Sequence, residues 1–143
     1  MNIDENTRKE LIQKALDMRS FSYTPYSHWN VGAAVLTNDG KIFTGCNIEN
    51  AAFTPTICAE RTAIFKAVSK GTRAFKAIAI SGGPSGEEPN EYCAPCGVCR
   101  QVMREFCDND FIIFLAKSVD DYQTFTLRDL LPQSFGPKDL GKL

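Results

Sequence analysis

Apolar residues recur along this chain in two rhythms, and each change of rhythm marks an element. Leu11, Ile12, Ala15 and Leu16 lie at helical spacing among charged residues, which predicts a first helix over about 7–20 with Asn6 or Thr7 as its N-cap. Residues 21–27 hold Pro25 and three aromatics and break that rhythm, so they read as an irregular connection. A buried strand follows over 31–36, and the turn signal Asn38-Asp39-Gly40 folds the chain back through Ile42 and Phe43. Residues 31–46 therefore read as a β-hairpin. The stripe Ala63, Ile64, Ala67 and Val68 predicts a second helix over about 58–70, with Gly71 as its stop.

Residues 75–80 return to strand character. The stretch SGGPSGEEPNEYCAP is rich in glycine, proline and acids, and reads as a long surface loop leading to a third helix that starts near Cys96. That helix carries Val98, Val102, Met103 and Phe106. The solid apolar run over 111–116 predicts a central strand, and 123–126 a further one. Thr126-Leu127-Arg128-Asp129 has the pattern of a short capped helical turn ahead of Leu130, Leu131 and Pro132. Strands alternating with helices after an opening hairpin predict an α/β domain with a mixed sheet and helices on its faces. A chain of 143 residues supports one core, so 1–143 is expected to be a single domain.

Charge narrows the function. A formal net charge of −1 argues against a partner whose phosphate backbone must be neutralised, and favours a small, weakly charged ligand. No apolar run reaches membrane-spanning length, and the polar start MNIDENTRKELIQKAL has no signal-peptide core, so a cytoplasmic protein without membrane attachment is expected. Six cysteines in such a chain point to metal or redox chemistry sooner than to disulfides.

The chemistry concentrates in Cys58-Ala59-Glu60 and, further on, Pro95-Cys96-Gly97-Val98-Cys99. Cys58 and the Cys96/Cys99 pair fall at expected helix starts, where partial positive charge favours thiolates. Three cysteine ligands leave a fourth tetrahedral position open, which separates a catalytic zinc from a closed structural one. Glu60, two residues from Cys58, suits a proton shuttle. Arg61 is a candidate for offsetting the excess negative charge of three thiolates. A Cys-x-x-Cys unit by itself also fits a structural zinc site or a redox pair, and Cys93 lies close enough to stand in for a ligand. Cys46 and Cys107 read as small buried hydrophobes, and His28, the sole histidine, as a loop residue.

Several stretches together resemble the small, homotetrameric, zinc-dependent cytidine deaminase family. They are Pro25-Tyr26-Ser27-His28-Trp29-Asn30-Val31-Gly32-Ala33-Ala34, Gly45-Cys46-Asn47-Ile48-Glu49-Asn50-Ala51, Cys58-Ala59-Glu60-Arg61-Thr62-Ala63, Pro95-Cys96-Gly97-Val98-Cys99-Arg100-Gln101 and Leu130-Leu131-Pro132. The resemblance runs from about Tyr23 to Phe135, and its first-Cys, Glu, Pro-Cys-x-x-Cys order is that of the zinc deaminases. It implies a three-layer α/β/α cytidine deaminase-like fold and hydrolysis of cytidine and deoxycytidine to uridine and deoxyuridine, with release of ammonia, in pyrimidine nucleoside salvage. It also implies one zinc per subunit on Cys58, Cys96 and Cys99, with Glu60 as acid and base. Asn47 and Glu49 would hold the ribose hydroxyls, Trp29 would stack on the pyrimidine, the backbone at Ala59 would contact the base, and Ala51 and Phe53 would line the substrate.

In that family a phenylalanine matching Phe135 reaches into a neighbouring subunit's site, which implies a homotetramer with shared active sites. From its surroundings alone, Phe135 reads sooner as packing on its own subunit. The chain departs from the family pattern at Trp29, where Phe is commoner, at Phe53, where Tyr is frequent, and in a long loop over 82–94. The alternatives are a related zinc deaminase of another aminopyrimidine and a non-enzymatic zinc-binding domain.

Overall fold

The computed structural model describes residues 3–141. Helix α1 spans Glu5–Met18. Its N-cap is Asp4, whose carboxylate accepts the Thr7 N–H at 2.7 Å. The helix thus begins and ends two residues earlier than the apolar rhythm alone suggests. Asn6 and Thr7 lie inside its first turn, because an aspartate outside the helix already satisfies the free donor there. Residues Arg19–Phe21 make a single 3₁₀ turn.

Strands β1 (Trp29–Thr37) and β2 (Ile42–Cys46) form the expected hairpin, with Leu36 opposite Ile42. Helix α2 (Ala59–Ser69) is followed by β3 (Phe75–Pro84), helix α3 (Gly97–Phe106), β4 (Ile112–Ala116), β5 (Tyr122–Thr126) and the short α4 (Leu127–Leu130). The capped turn is present: Thr126 N–H donates to Asp129 at 2.8 Å, and the Thr126 hydroxyl accepts the Asp129 N–H at 3.3 Å.

The sheet order is β2-β1-β3-β4-β5. Only β3 and β4 run parallel, so the sheet is mixed. Two strand ends differ from the sequence reading by more than one residue. β1 starts at Trp29 and β3 continues to Pro84, since Trp29, Asn30 and Val31 pair with Pro84, Gly83 and Gly82. A Ser-Gly-Gly-Pro run has weak strand propensity, and here tertiary pairing overrides it.

Alternation on the strands builds two cores. Ala34 and Leu36 of β1, Ala77 and Ala79 of β3, and Phe114 of β4 meet Leu11, Ile12 and Ala15 of α1. On the other face Ala33, Val35, Ile78, Ile80, Ile113 and Leu115 pack against Ala63 and Ile64 of α2, Cys99 and Met103 of α3, and Leu127 of α4. The result is three layers, α/β/α. Ile78, Ile80 and Ile113 are fully buried, each contributing about 1.5–3 kcal/mol. No helix among the described residues is long and apolar enough to cross a membrane.

The seat of α2 depends on one glycine. A Cβ on Gly45 would lie 2.5 Å from both the Ala59 carbonyl oxygen and the Ala63 amide nitrogen. With only hydrogen there, α2 lies directly on β2, and its N-terminus is brought to the edge of the sheet beside the start of α3.

Candidate active site

Cys58 is the N-cap of α2 and Cys96 the N-cap of α3, both in extended backbone and neither capping its helix through its side chain. Their sulfurs are left free to face each other. Cys58 and Cys96 Sγ lie 3.7 Å apart, Cys96 and Cys99 Sγ 3.6 Å apart, and all three sulfurs fall within 4.8 Å of one another. The six cysteines are unpaired as disulfides. A tetrahedral zinc with Zn–S near 2.3 Å sets its sulfurs roughly 3.8 Å apart, so the trio fits that ion. Cys93 lies outside the trio.

Electrostatics reinforce the fit. Arg61 Nη2 donates to Cys58 Sγ at 3.2 Å. The hydrogen bond from Cys99, and then Arg61, pull the Cys58 thiol down to about 5, while Cys99, which gives that bond and is buried, is pushed up. Arg61 Nε is buried with no protein partner. Arg100 holds the second arm in place by donating to the Pro95 carbonyl at 2.7 Å and to the Leu130 carbonyl at 2.7 Å.

Glu60 is 4% exposed, in the first turn of α2. Burial pushes its carboxyl up to about 7, and the neighbouring Cys58 charge adds to the shift. A carboxyl with that affinity exchanges protons at neutral pH.

Asn47 and Glu49 lie on the segment after β2, which is tied to the metal arm by reciprocal bonds between Ile48 and Ile57, each 3.0 Å. Asn47 Oδ1 accepts the Val31 N–H at 2.9 Å and its Nδ2 donates to the Trp29 carbonyl at 2.8 Å. Glu49 Oε1 accepts the Tyr26 and Ser27 N–H groups at 3.0 and 3.1 Å, and Oε2 accepts the Ser27 hydroxyl. These bonds, that of Ser27 first, hold the Glu49 carboxyl below its ordinary range. The two side chains thus shape the entry to β1, and each keeps hydrogen-bonding capacity beyond those bonds.

Trp29, half-buried, opens β1, and Ala59 is fully buried at the first position of α2. Ala51 and Phe53 lie in an exposed turn. Phe53 has φ 63° and packs edge-on against Tyr26 with ring centroids 5.8 Å apart. Phe135 is 57% exposed, with its carbonyl held by Gln101 Nε2 at 2.8 Å. Sequence reasoning missed Ser27 as the support of Glu49 and Arg100 as the clamp on Pro95. Neither has a local signal, since both act on residues more than four positions away.

Residues 5–115 match the family described as the cytidine and deoxycytidylate deaminase zinc-binding region. The chain belongs to that deaminase family. A cytidine deaminase from Sporosarcina psychrophila is 46% identical over 132 residues, covering 92% of this chain and 93% of the relative. One from Halalkalibacterium halodurans is 44% identical over 133 residues, 93% of this chain and 97% of the relative. The crystal structure of a cytidine deaminase from Burkholderia pseudomallei superposes with a TM-score of 0.80 at 44% identity, over 88% of this chain and 97% of that one. That from Mycobacterium tuberculosis gives 0.77 at 34% identity, over 94% and 99%. The three-layer fold and the zinc-binding character expected of a deaminase are therefore both present, with one cysteine trio per chain to hold the ion.

Proposed function

We propose that this chain deaminates cytidine and deoxycytidine hydrolytically, cytidine and water giving uridine and ammonia, with one zinc ion held by Cys58, Cys96 and Cys99. The observation that carries the reading is the buried Glu60 carboxyl in the turn that opens directly after Cys58 of the sulfur trio. Bound zinc supplies Lewis acidity toward an attacking water. Glu60 does the proton work. It takes one proton from the water and gives it to ring N3, then carries the second from the new hydroxyl to the departing amine. Uridine then carries N–H at N3, and the amine leaves as ammonia.

Arg61 offsets the thiolate charge from the Cys58 side. The unused hydrogen-bonding capacity of Asn47 and Glu49 suits the ribose hydroxyls, and Trp29 offers a face for the pyrimidine, with the Ala59 backbone, Ala51 and Phe53 around it. An ionised Glu49 at the sugar repels a phosphate, which favours nucleosides over nucleotides. The exposed Phe135, between Pro132 and Gly136, closes the site of a neighbouring subunit in a homotetramer. Nucleoside salvage in the cytoplasm is the role that fits such a substrate.

Ammonia release from cytidine, deoxycytidine, cytidine monophosphate and free cytosine tests the substrate class. Turnover of the two nucleosides well above the others is expected, and a preference for the monophosphate would overturn the reading. Mixed oligomers of Glu60→Ala and Phe135→Ala subunits test the shared site. Activity above both parents is expected, and no recovery in verified mixed oligomers would reject it.

A further inference from the structure

Trp29 presents an indole where a phenylalanine would present a bare ring, and an indole N–H taken partly out of water needs an acceptor. The structure supplies one from the loop before α3. Trp29 and Gly82 are on adjacent strands, on the face of the sheet that carries α2 and α3. A Cβ on Gly82 would lie 2.6 Å from Cys93 Sγ and 3.1 Å from Trp29 Nε1. The missing side chain therefore leaves a slot in which the Cys93 thiol and the Trp29 indole N–H meet.

The loop that delivers Cys93 is fixed at two points just before it. Pro89 is buried over Gly83, its Cα 3.0 Å from where a Cβ would be. The Tyr92 hydroxyl donates to Asp121, and the Lys117 ammonium lies 4.4 Å from the centre of the Tyr92 ring. Cys93 also lies close enough to Glu60 and Cys58 to feel their charges. It belongs to neither the sulfur trio nor the cores.

We propose that Cys93 is a positioning residue, whose sulfur accepts the Trp29 indole N–H and fixes the ring plane on which the pyrimidine stacks. This rests on the reading of Trp29 as the base-facing aromatic. The loop over 85–94 then has a function: it carries the partner that an indole requires at this position. Losing the acceptor frees the ring to rotate and weakens substrate binding, while the metal centre and Glu60 are untouched.

Trp29 is the only tryptophan, so indole emission reports on it alone, and a thiol in contact quenches that emission. The experiment compares zinc-loaded wild type, Cys93→Ser, Cys93→Ala, Trp29→Phe and the Trp29→Phe/Cys93→Ala pair. Emission should rise in both single cysteine variants. The KM for cytidine should stay near wild type in Cys93→Ser, which keeps an acceptor, and rise about fivefold in Cys93→Ala, with kcat within about twofold of wild type.

In the Trp29→Phe background, Cys93→Ala should have no further effect, and all variants should keep their zinc. Unchanged emission would remove the contact. Three other results would remove the positioning role: an unchanged KM in Cys93→Ala, equal KM losses in the serine and alanine variants, or the same loss without the indole. Loss of zinc in Cys93→Ala would overturn the proposal by placing Cys93 in the metal centre. If the alanine variant does not fold, the serine variant still decides the contact by its emission. Absence of cytidine turnover in the wild type would defeat the functional reading and the positioning role with it, a failure distinguishable from loss of the contact because emission is read without substrate.

Discussion

Gly45→Ala adds one methyl group to a strand, changes no chemical group at the site, and should disable it. The new Cβ would lie 2.5 Å from the Ala59 carbonyl oxygen and the Ala63 nitrogen, and 2.9 Å from Thr62 Cβ. The first two are helix backbone and cannot rotate away. Ordinary contact is near 3.4 Å, so α2 must lift from β2 by about 0.9 Å. Such overpacking costs about 1–3 kcal/mol of stability. The same lift moves Cys58 and Glu60, which ride on α2, relative to Cys96 and Cys99, which ride on α3. A displacement of about 1 Å in a catalytic constellation can cost on the order of 10²-fold in rate. Urea unfolding measures the first effect, and ammonia release at matched zinc content the second. Gly40→Ala is the control, because its left-handed turn has φ +88° but open space around it; it should lower stability by about 1 kcal/mol and leave turnover alone. If Gly45→Ala matches wild type in both stability and turnover, the close seat of α2 does not set the site.

Arg61→Ala should leave Cys58 with a higher pKa, because one of the groups that pull it down is gone. Protons then compete better for that sulfur, so zinc should dissociate at a higher pH as the solution is acidified; zinc retained per chain across a pH series measures this, and coincident curves would leave Arg61 without an electrostatic role. Glu49→Ala should impair cytidine far more than free cytosine, which has no ribose for it to hold. Equal losses on the two substrates would assign Glu49 only to its bonds with Tyr26 and Ser27.

The elements that position the metal arms were legible because their signals are local. An apolar stripe over Ala63, Ile64, Ala67 and Val68 sets α2 and puts Cys58 at its start, and Val102, Met103 and Phe106 do the same for α3 and Cys96, while Val98, expected in that stripe, is exposed. Short-range hydrogen bonding also fixes the start of α1, yet a polar run in which Asp4, Asn6 and Thr7 can each cap leaves the choice open until the Asp4 bond to Thr7 is seen. The extension of β3 through Gly82 and Gly83 was not legible. Those glycines read as loop, and become strand only because Trp29, Asn30 and Val31 arrive from more than 50 positions away to pair with them. The same distance hides the support of the residues proposed to face the sugar. Asn47 and Glu49 could be singled out from the motif, but their bonds to Trp29, Val31, Tyr26 and Ser27 exist only once β1 and the segment after β2 lie side by side.

If three cysteines hold the metal and a separate carboxyl moves the protons, Glu60→Ala separates the two roles in one protein. Zinc per chain and the rate of ammonia release from cytidine are measured on the same preparations of wild type, Glu60→Ala and Cys96→Ala. One zinc per chain is expected in wild type and in Glu60→Ala, with turnover reduced in the latter by about 10²-fold or more. Cys96→Ala should lose its zinc. Near-wild-type turnover in Glu60→Ala would take the proton transfers away from Glu60, and full zinc occupancy in Cys96→Ala would take that cysteine out of the metal site.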